Sequence, residues 1–172
     1  EKTPLLSAAD AGYEQIVKLL LERNVNIEAK GGSPCQTSLS MAARHGHEQI
    51  AKLLLERNAD TEAEDSAGYT PLLWAASRGD EQIVKLLLER DANIEVKNRQ
   101  GETPLLCAAR RGDEQMVKLL LERNADTEAK DQYEQTALSW AAREGHGRVV
   151  KLLQMATYSQ PAGNFSKSSL LL

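Results

Sequence analysis

Apolar positions in this chain come in two short bursts, separated and followed by polar residues, and the alternation recurs from end to end. Between Thr103 and Glu134 the first burst is Leu105, Leu106, Ala108 and Ala109; the second is Met116, Val117, Leu119, Leu120 and Leu121. Spacings of one, three and four residues predict helices in both cases. Thr103 is suited to cap the first helix and Pro104 to open it. Gly112 closes it, because glycine accepts the left-handed geometry of a helix C-terminus. The second helix starts at Glu114 and stops at Asn124, with Glu114, Lys118 and Glu122 spaced four apart on its wet side.

The same block returns along the whole chain. Thr-Pro-Leu-Leu stands at Thr3–Leu6, Thr70–Leu73 and Thr103–Leu106, with looser copies starting at Thr37 and Thr136, giving steps of 34, 33, 33 and 33 residues. Each helix is shorter than the roughly 12–15 residues that persist alone in water. Nearly every apolar residue of the second helix needs cover, which one copy cannot supply and two neighbours can. The pattern therefore predicts a stack of equivalent helical hairpins with no single closed core. Alanine pairs at 8–9, 42–43, 75–76, 108–109 and 141–142 would let helices of adjacent copies approach closely. The copies lie near 3–36, 37–69, 70–102, 103–135 and 136–158.

The motif resembles the ankyrin repeat, whose pattern runs Thr-Pro-Leu-His-x-Ala-Ala-x-x-Gly-His, then a helix ending Leu-Leu, then Gly-Ala-Asp. The match falls on Thr70, Pro71, Leu72, Ala75, Ala76 and Gly79 and on their equivalents. Gly46-His47 and Gly145-His146 reproduce the Gly-His step, and Asn58-Ala59-Asp60 and Asn124-Ala125-Asp126 the terminal turn with Asn for Gly. The resemblance implies an all-α solenoid of helix-turn-helix units joined by β-turn or hairpin loops. Departures are specific. The family's first-helix histidine is Leu6, Ser40, Leu73, Leu106 and Ser139 here, so its loop-tying role is in question. Proline is missing at Ser38 and Ala137. One extra residue between Lys30 and Gln36 predicts a distorted loop, and Glu134 stands where Gly68 and Gly101 stand in other copies. The second helices are nearly identical, which implies recent internal duplication or consensus design.

Composition adds limits. Aromatic residues make up 4% of the chain, so the core is aliphatic. A net charge of −4 is too mild to argue for nucleic acid or an anionic membrane, and no apolar run approaches a membrane span. Cys35 and Cys107 have no partner at metal-ligand spacing and read as reduced thiols, which points to an intracellular, cytoplasmic setting with the nucleus left open. The chain opens at Glu1, partway into a copy, and so reads as a fragment of a larger protein. No catalytic constellation, phosphate loop or metal or cofactor motif emerges. His47 and His146 belong to the repeat motif, and the paired acids recur in every copy as solvated residues. The reading is a non-enzyme without cofactor or small-molecule substrate.

Positions that differ between copies carry the individuality. In ankyrin-like arrays the first helices and loop tips line a concave face that partners use. At the ends of the first helices this chain has Arg44, His45, Arg78, Arg110, Arg111 and Arg143, five arginines along one stripe of an acidic protein. Mid-helix, Ser7, Met41, Trp74, Cys107 and Trp140 share one position, of which Trp74, Cys107 and Trp140 are taken as candidates. The loop tips contribute Tyr69, Arg99 and Tyr133. Arginine reads carboxylates bidentately, and Trp, Tyr and Arg dominate binding hot spots. These twelve residues are the expected site for an acidic protein or peptide partner. Two plainer readings stand beside it: the tryptophans fill space between copies, and the arginines keep the array soluble. The alternative function is a structural spacer or self-associating scaffold, since little precedes Thr3 to cover the outer side of the first copy. Residues 159–172, rich in Ser, Gly and Asn, read as a flexible tail after Pro161.

Overall fold

The computed structural model describes residues 2–32 and 35–159. Among them are ten helices in five hairpins: α1 Pro4–Ala11 with α2 Glu14–Glu22, α3 Ser38–His45 with α4 Glu48–Glu56, α5 Pro71–Arg78 with α6 Glu81–Leu88, α7 Pro104–Arg111 with α8 Glu114–Glu122, and α9 Ala137–Arg143 with α10 Gly147–Ser159. First helices pack on first helices and second on second, and the first row is the more closely packed. Its alanine pairs explain the difference. Ala42, Ala43, Ala75, Ala76 and Ala109 have no exposed surface, so one helix backbone comes close to the next.

Local chemistry sets each helix end as the sequence predicts. All five threonines accept from the backbone amide three residues on, including Thr37 and Thr136, where proline is absent. Gly12, Gly46, Gly79 and Gly112 close the first helices at φ between 74° and 84°. Asn24, Asn58, Asp91 and Asn124 follow the second helices at positive φ. In the last copy Thr157 takes the place of that asparagine, and α10 runs on to Ser159, one residue past the expected boundary. The tail expectation for 160–172 lies outside the described residues.

Neighbouring copies are also stapled by polar groups. Glu28, Glu62 and Glu95 each accept through Oε1 from a backbone amide of the following copy, at Asp60, Asn93 and Asp126, over 2.8–3.0 Å. Arg57 donates back to Leu21 O at 2.6 Å, and Arg90 does the same to Leu55 O. His47 and His146 bond through Nε2 to Asp10 O and Arg110 O of the preceding copy. The recurring acids are therefore not merely solvated, as the sequence suggested; three of them join copies. Nor does Glu114 pair with Lys118 in the ion pairs found. It meets Arg148 of the next copy, and the pair that does form four apart on a second helix, among the described residues, is Glu81 with Lys85.

Candidate partner-binding surface

The loops preceding α5, α7 and α9 are each built on one side chain. Asp65 Oδ1 accepts from the amides of Ala67 and Tyr69; Asn98 Oδ1 does so from Gln100 and Glu102, and Asp131 Oδ1 from Tyr133 and Gln135. The loop is closed by Asp65 N to Tyr69 O and its counterparts. In the loop with the extra residue the pairing moves: Gly31 and Gln36 exchange both backbone bonds, the predicted distortion. Successive tips touch, Arg99 N donating to Ala67 O and Gln132 N to Gln100 O. These bonds tie the loops together where the family's histidine is missing.

The second carboxylate oxygen holds the aromatic residues of the first helices. Trp74 Nε1 donates to Asp65 Oδ2 at 3.0 Å and Trp140 Nε1 to Asp131 Oδ2 at 2.8 Å. Burial alone would raise the Asp131 carboxyl; hydrogen bonds from Gln135 N, Trp140 Nε1 and Tyr133 N outweigh it and hold the group below its usual range. From these anchors a continuous strip of touching side chains crosses four copies. The Arg44 guanidinium lies 4.9 Å over the Trp74 ring. Tyr69 stacks on Trp74 with centroids 4.4 Å apart and reaches Glu102 Oε2 at 3.5 Å. Glu102 takes an ion pair from Arg110, which lies over Trp140 at 5.7 Å, with Arg143 over the same ring at 5.3 Å.

The structure thus joins Arg44, Tyr69, Trp74, Arg110, Trp140 and Arg143 in one strip. His45 stands beside it, 3.1 Å from Asp10, its imidazole made less basic by burial despite that carboxylate. Arg78, Arg99, Arg111 and Tyr133 are exposed, outside the strip's contacts. Cys107 is a correction. It is 1% exposed and burial pushes its thiol up to about 12, so it offers no side chain to a partner. Two of the arginines also have partners of their own. Arg44 also donates to Gln36 Oε1 at 3.1 Å and Arg110 is held by Glu102, so both are engaged within the chain.

Sequence reasoning missed the residues under the strip, namely Gln36, Asp65, Asn98, Glu102 and Asp131. A signal was present. Asp stands in the loops that precede the two first helices carrying Trp, and Asn in the loop that precedes the one carrying Cys107.

A family model described as ankyrin repeats (many copies) matches residues 5–55, 39–88 and 72–121, and one described as ankyrin repeat matches residues 133–157. Together they span more than half of the chain. No curated protein matches it. No helix among the described residues is long and apolar enough to cross a membrane.

Proposed function

The chain belongs to the ankyrin-repeat family, whose repeats are in general protein–protein interaction modules, and from that premise we propose that it binds an acidic protein or peptide on the side formed by its first helices and loop tips. The strip from Arg44 to Arg143 is the observation that carries this reading. Side chains locked by stacking and hydrogen bonds lose little further freedom on binding. Trp, Tyr and Arg concentrate binding energy, and a row of guanidinium groups gives an acidic protein a locally opposite face. Recognition then proceeds with little rearrangement of the backbone. The family is typically non-enzymatic, and the reading assigns the chain no reaction, cofactor or nucleic acid. The test compares proteins retained by the array with those retained by the Trp74→Ala/Trp140→Ala variant under identical conditions. Selective loss of acidic partners is expected; an unchanged set would sink the proposal.

A second reading, self-association through the first copy, rests on α2. Ile16 is 47% and Leu19 61% exposed, whereas Ile50, Ile83 and Met116 at the Ile16 position are 0–2% exposed. Light scattering that grows with concentration, and is abolished by Ile16→Lys/Leu19→Glu, is its expected signature.

A further inference from the structure

The residue before a cap threonine and the one eight positions later, near the end of the first helix, are bonded to each other in three copies. The charge left over differs. Lys2 and Asp10 form an ion pair at 2.6 Å and cancel. Glu102 cancels Arg110 in the same way. Gln36 is a neutral amide: its Oε1 accepts from Arg44 Nη1 at 3.1 Å and its Nε2 donates to Asp65 Oδ2 at 3.1 Å. Arg44 is thus held in place with its charge intact. In the last copy Gln135 turns its Nε2 to Tyr133 O instead. Neither Arg44 nor Arg143 enters any ion pair found among the described residues. Both lie over an indole, Arg44 at 4.9 Å from Trp74 and Arg143 at 5.3 Å from Trp140, and each indole is fixed by its own bond to Asp65 or Asp131. Arg78 and Arg111 differ, because an acid stands beside each. A Cβ on Gly46 would meet Asp80 Oδ2 at 3.1 Å and Arg78 Nε at 3.5 Å; one on Gly79 would meet Asp113 Oδ2 at 2.6 Å and Arg111 Nη2 at 3.2 Å.

Resting on the acidic-partner reading above, we propose that Arg44 on Trp74 and Arg143 on Trp140 are the two sites that each receive a carboxylate of the partner, and that the residue before the cap threonine decides which arginines are available. Stacking a guanidinium on an indole removes solvent from its face and fixes its plane, while the in-plane N–H groups remain for a carboxylate, which takes them two at a time. A cation that no acid of the chain answers is the one an acidic partner gains most by answering. Arg110 also lies over Trp140, at 5.7 Å, but Glu102 already holds it. Asp65 is no competitor for Arg44: it is 6% exposed, and its oxygens take the donors of Gln36, Ala67, Tyr69 and Trp74. The difference between Gln36 and Glu102, one neutral and one charged, thus separates a reading arginine from a structural one.

The chain has two tryptophans, one at each site, so each indole N–H signal in a nitrogen-edited NMR spectrum follows one site alone. A hexaglutamate peptide is titrated into the whole array, and both signals are expected to shift to saturation. Arg44→Gln should weaken the affinity read at Trp74 about tenfold, the loss of a charge-assisted bond, and Arg143→Gln should do so at Trp140. In each case the other site should stay within about twofold, since distant charges are screened; its intact signal also shows that the variant is folded. Removing the cancelled pair as Glu102→Gln/Arg110→Gln should leave the Trp140 affinity within about twofold. Glu102→Gln alone gives Arg110 the neutral partner that Arg44 has, and should tighten the Trp140 site. No shift of either indole overturns the assignment. So does equal weakening at both sites by one arginine, a Trp140 response lost with the Glu102–Arg110 pair, or no gain from Glu102→Gln. These last three outcomes leave the broader acidic-partner reading standing, because that reading is judged by the proteins lost from the tryptophan variant.

Discussion

Trp140 donates its indole N–H to Asp131 Oδ2 at 2.8 Å, nine residues back in the loop that precedes its helix. Trp74 and Asp65 repeat the bond. In the loop and first helix between them Asn98 replaces Asp and Cys107 replaces Trp, and Asn98 Nδ2 donates to Glu102 Oε2 at 2.7 Å instead. Each loop side chain is thus matched to its helix residue. A carboxylate suits a tryptophan donor; an amide suits a neighbouring carboxylate.

Replacing Asp131 by Asn tests that matching. Asn Oδ1 can still accept from Tyr133 N and Gln135 N, as Asn98 does in its loop. Its Nδ2 would then face the Trp140 N–H, leaving two donors opposed. We expect a loss of about 1–3 kcal/mol in stability, with altered Trp140 fluorescence. Adding Trp140→Leu should remove much of the penalty, and a strictly additive double variant would refute the coupling.

The pH dependence has a defined sign. Asp131 is held below its usual range in the folded state. Its contribution is therefore fully present above the unfolded value, near 3.9, and is lost as pH falls through the lower folded one. Urea titrations of wild type and Asp131→Asn from pH 6 downwards should show the gap between them narrowing below about pH 4. A constant gap would assign the stabilisation to packing alone.

Thiol reactivity should divide the two cysteines. Cys35 is exposed in the loop after the first copy, whereas Cys107 is buried with its thiol pushed up to about 12. At neutral pH an aromatic disulfide reagent is expected to modify Cys35 quickly and Cys107 only on unfolding. Two equally fast thiols would mean that the fourth copy opens readily.

Buried leucines carry the stack. Leu87, on α6, has no exposed surface and belongs to the apolar core. Leu87→Ala should cost about 2–5 kcal/mol, read as a lowered denaturation midpoint. An unmoved midpoint would contradict the packing described.

How much of this was legible in the sequence follows from what repeats. Helix ends were readable because threonine acts through its hydroxyl on an amide three residues on, and glycine and asparagine through their own backbone. Core positions were readable because Leu, Val and Ala recur in register. The strip was only half readable. Trp74, Trp140 and the arginines stood out by differing between copies, but whether Arg110 faced a partner or Glu102 depended on a contact eight residues away. Cys107 was misjudged because a variable position implies exposure only where its side chain is long enough to leave the helix packing. The staples of Glu28, Glu62 and Glu95 were hidden by their regularity, since an acid present in every copy reads as solvation until the next copy's amide is in place.

Glu134 offers the sharpest test of a loop rule. It sits two residues before Thr136, where Gly68 and Gly101 precede Thr70 and Thr103, and it adopts φ 59° beside their 77° and 76°. The left-handed conformation costs a side-chain-bearing residue about 1–2 kcal/mol, offset in part because glycine loosens the unfolded chain by about 0.4–1 kcal/mol. The Lys130–Glu134 ion pair is exposed and returns little. Glu134→Gly should therefore raise stability, by up to about 1 kcal/mol. Glu134→Ala keeps the strain, loses the pair, and should give no gain. The opposite change at the equivalent site has the opposite sign: a Cβ on Gly101 would meet Gln132 N at 3.0 Å and Asp131 Cα at 3.1 Å, both backbone atoms. Gly101→Ala should lower the midpoint. If Glu134→Gly is destabilising while Gly101→Ala is neutral, backbone strain does not govern these loops.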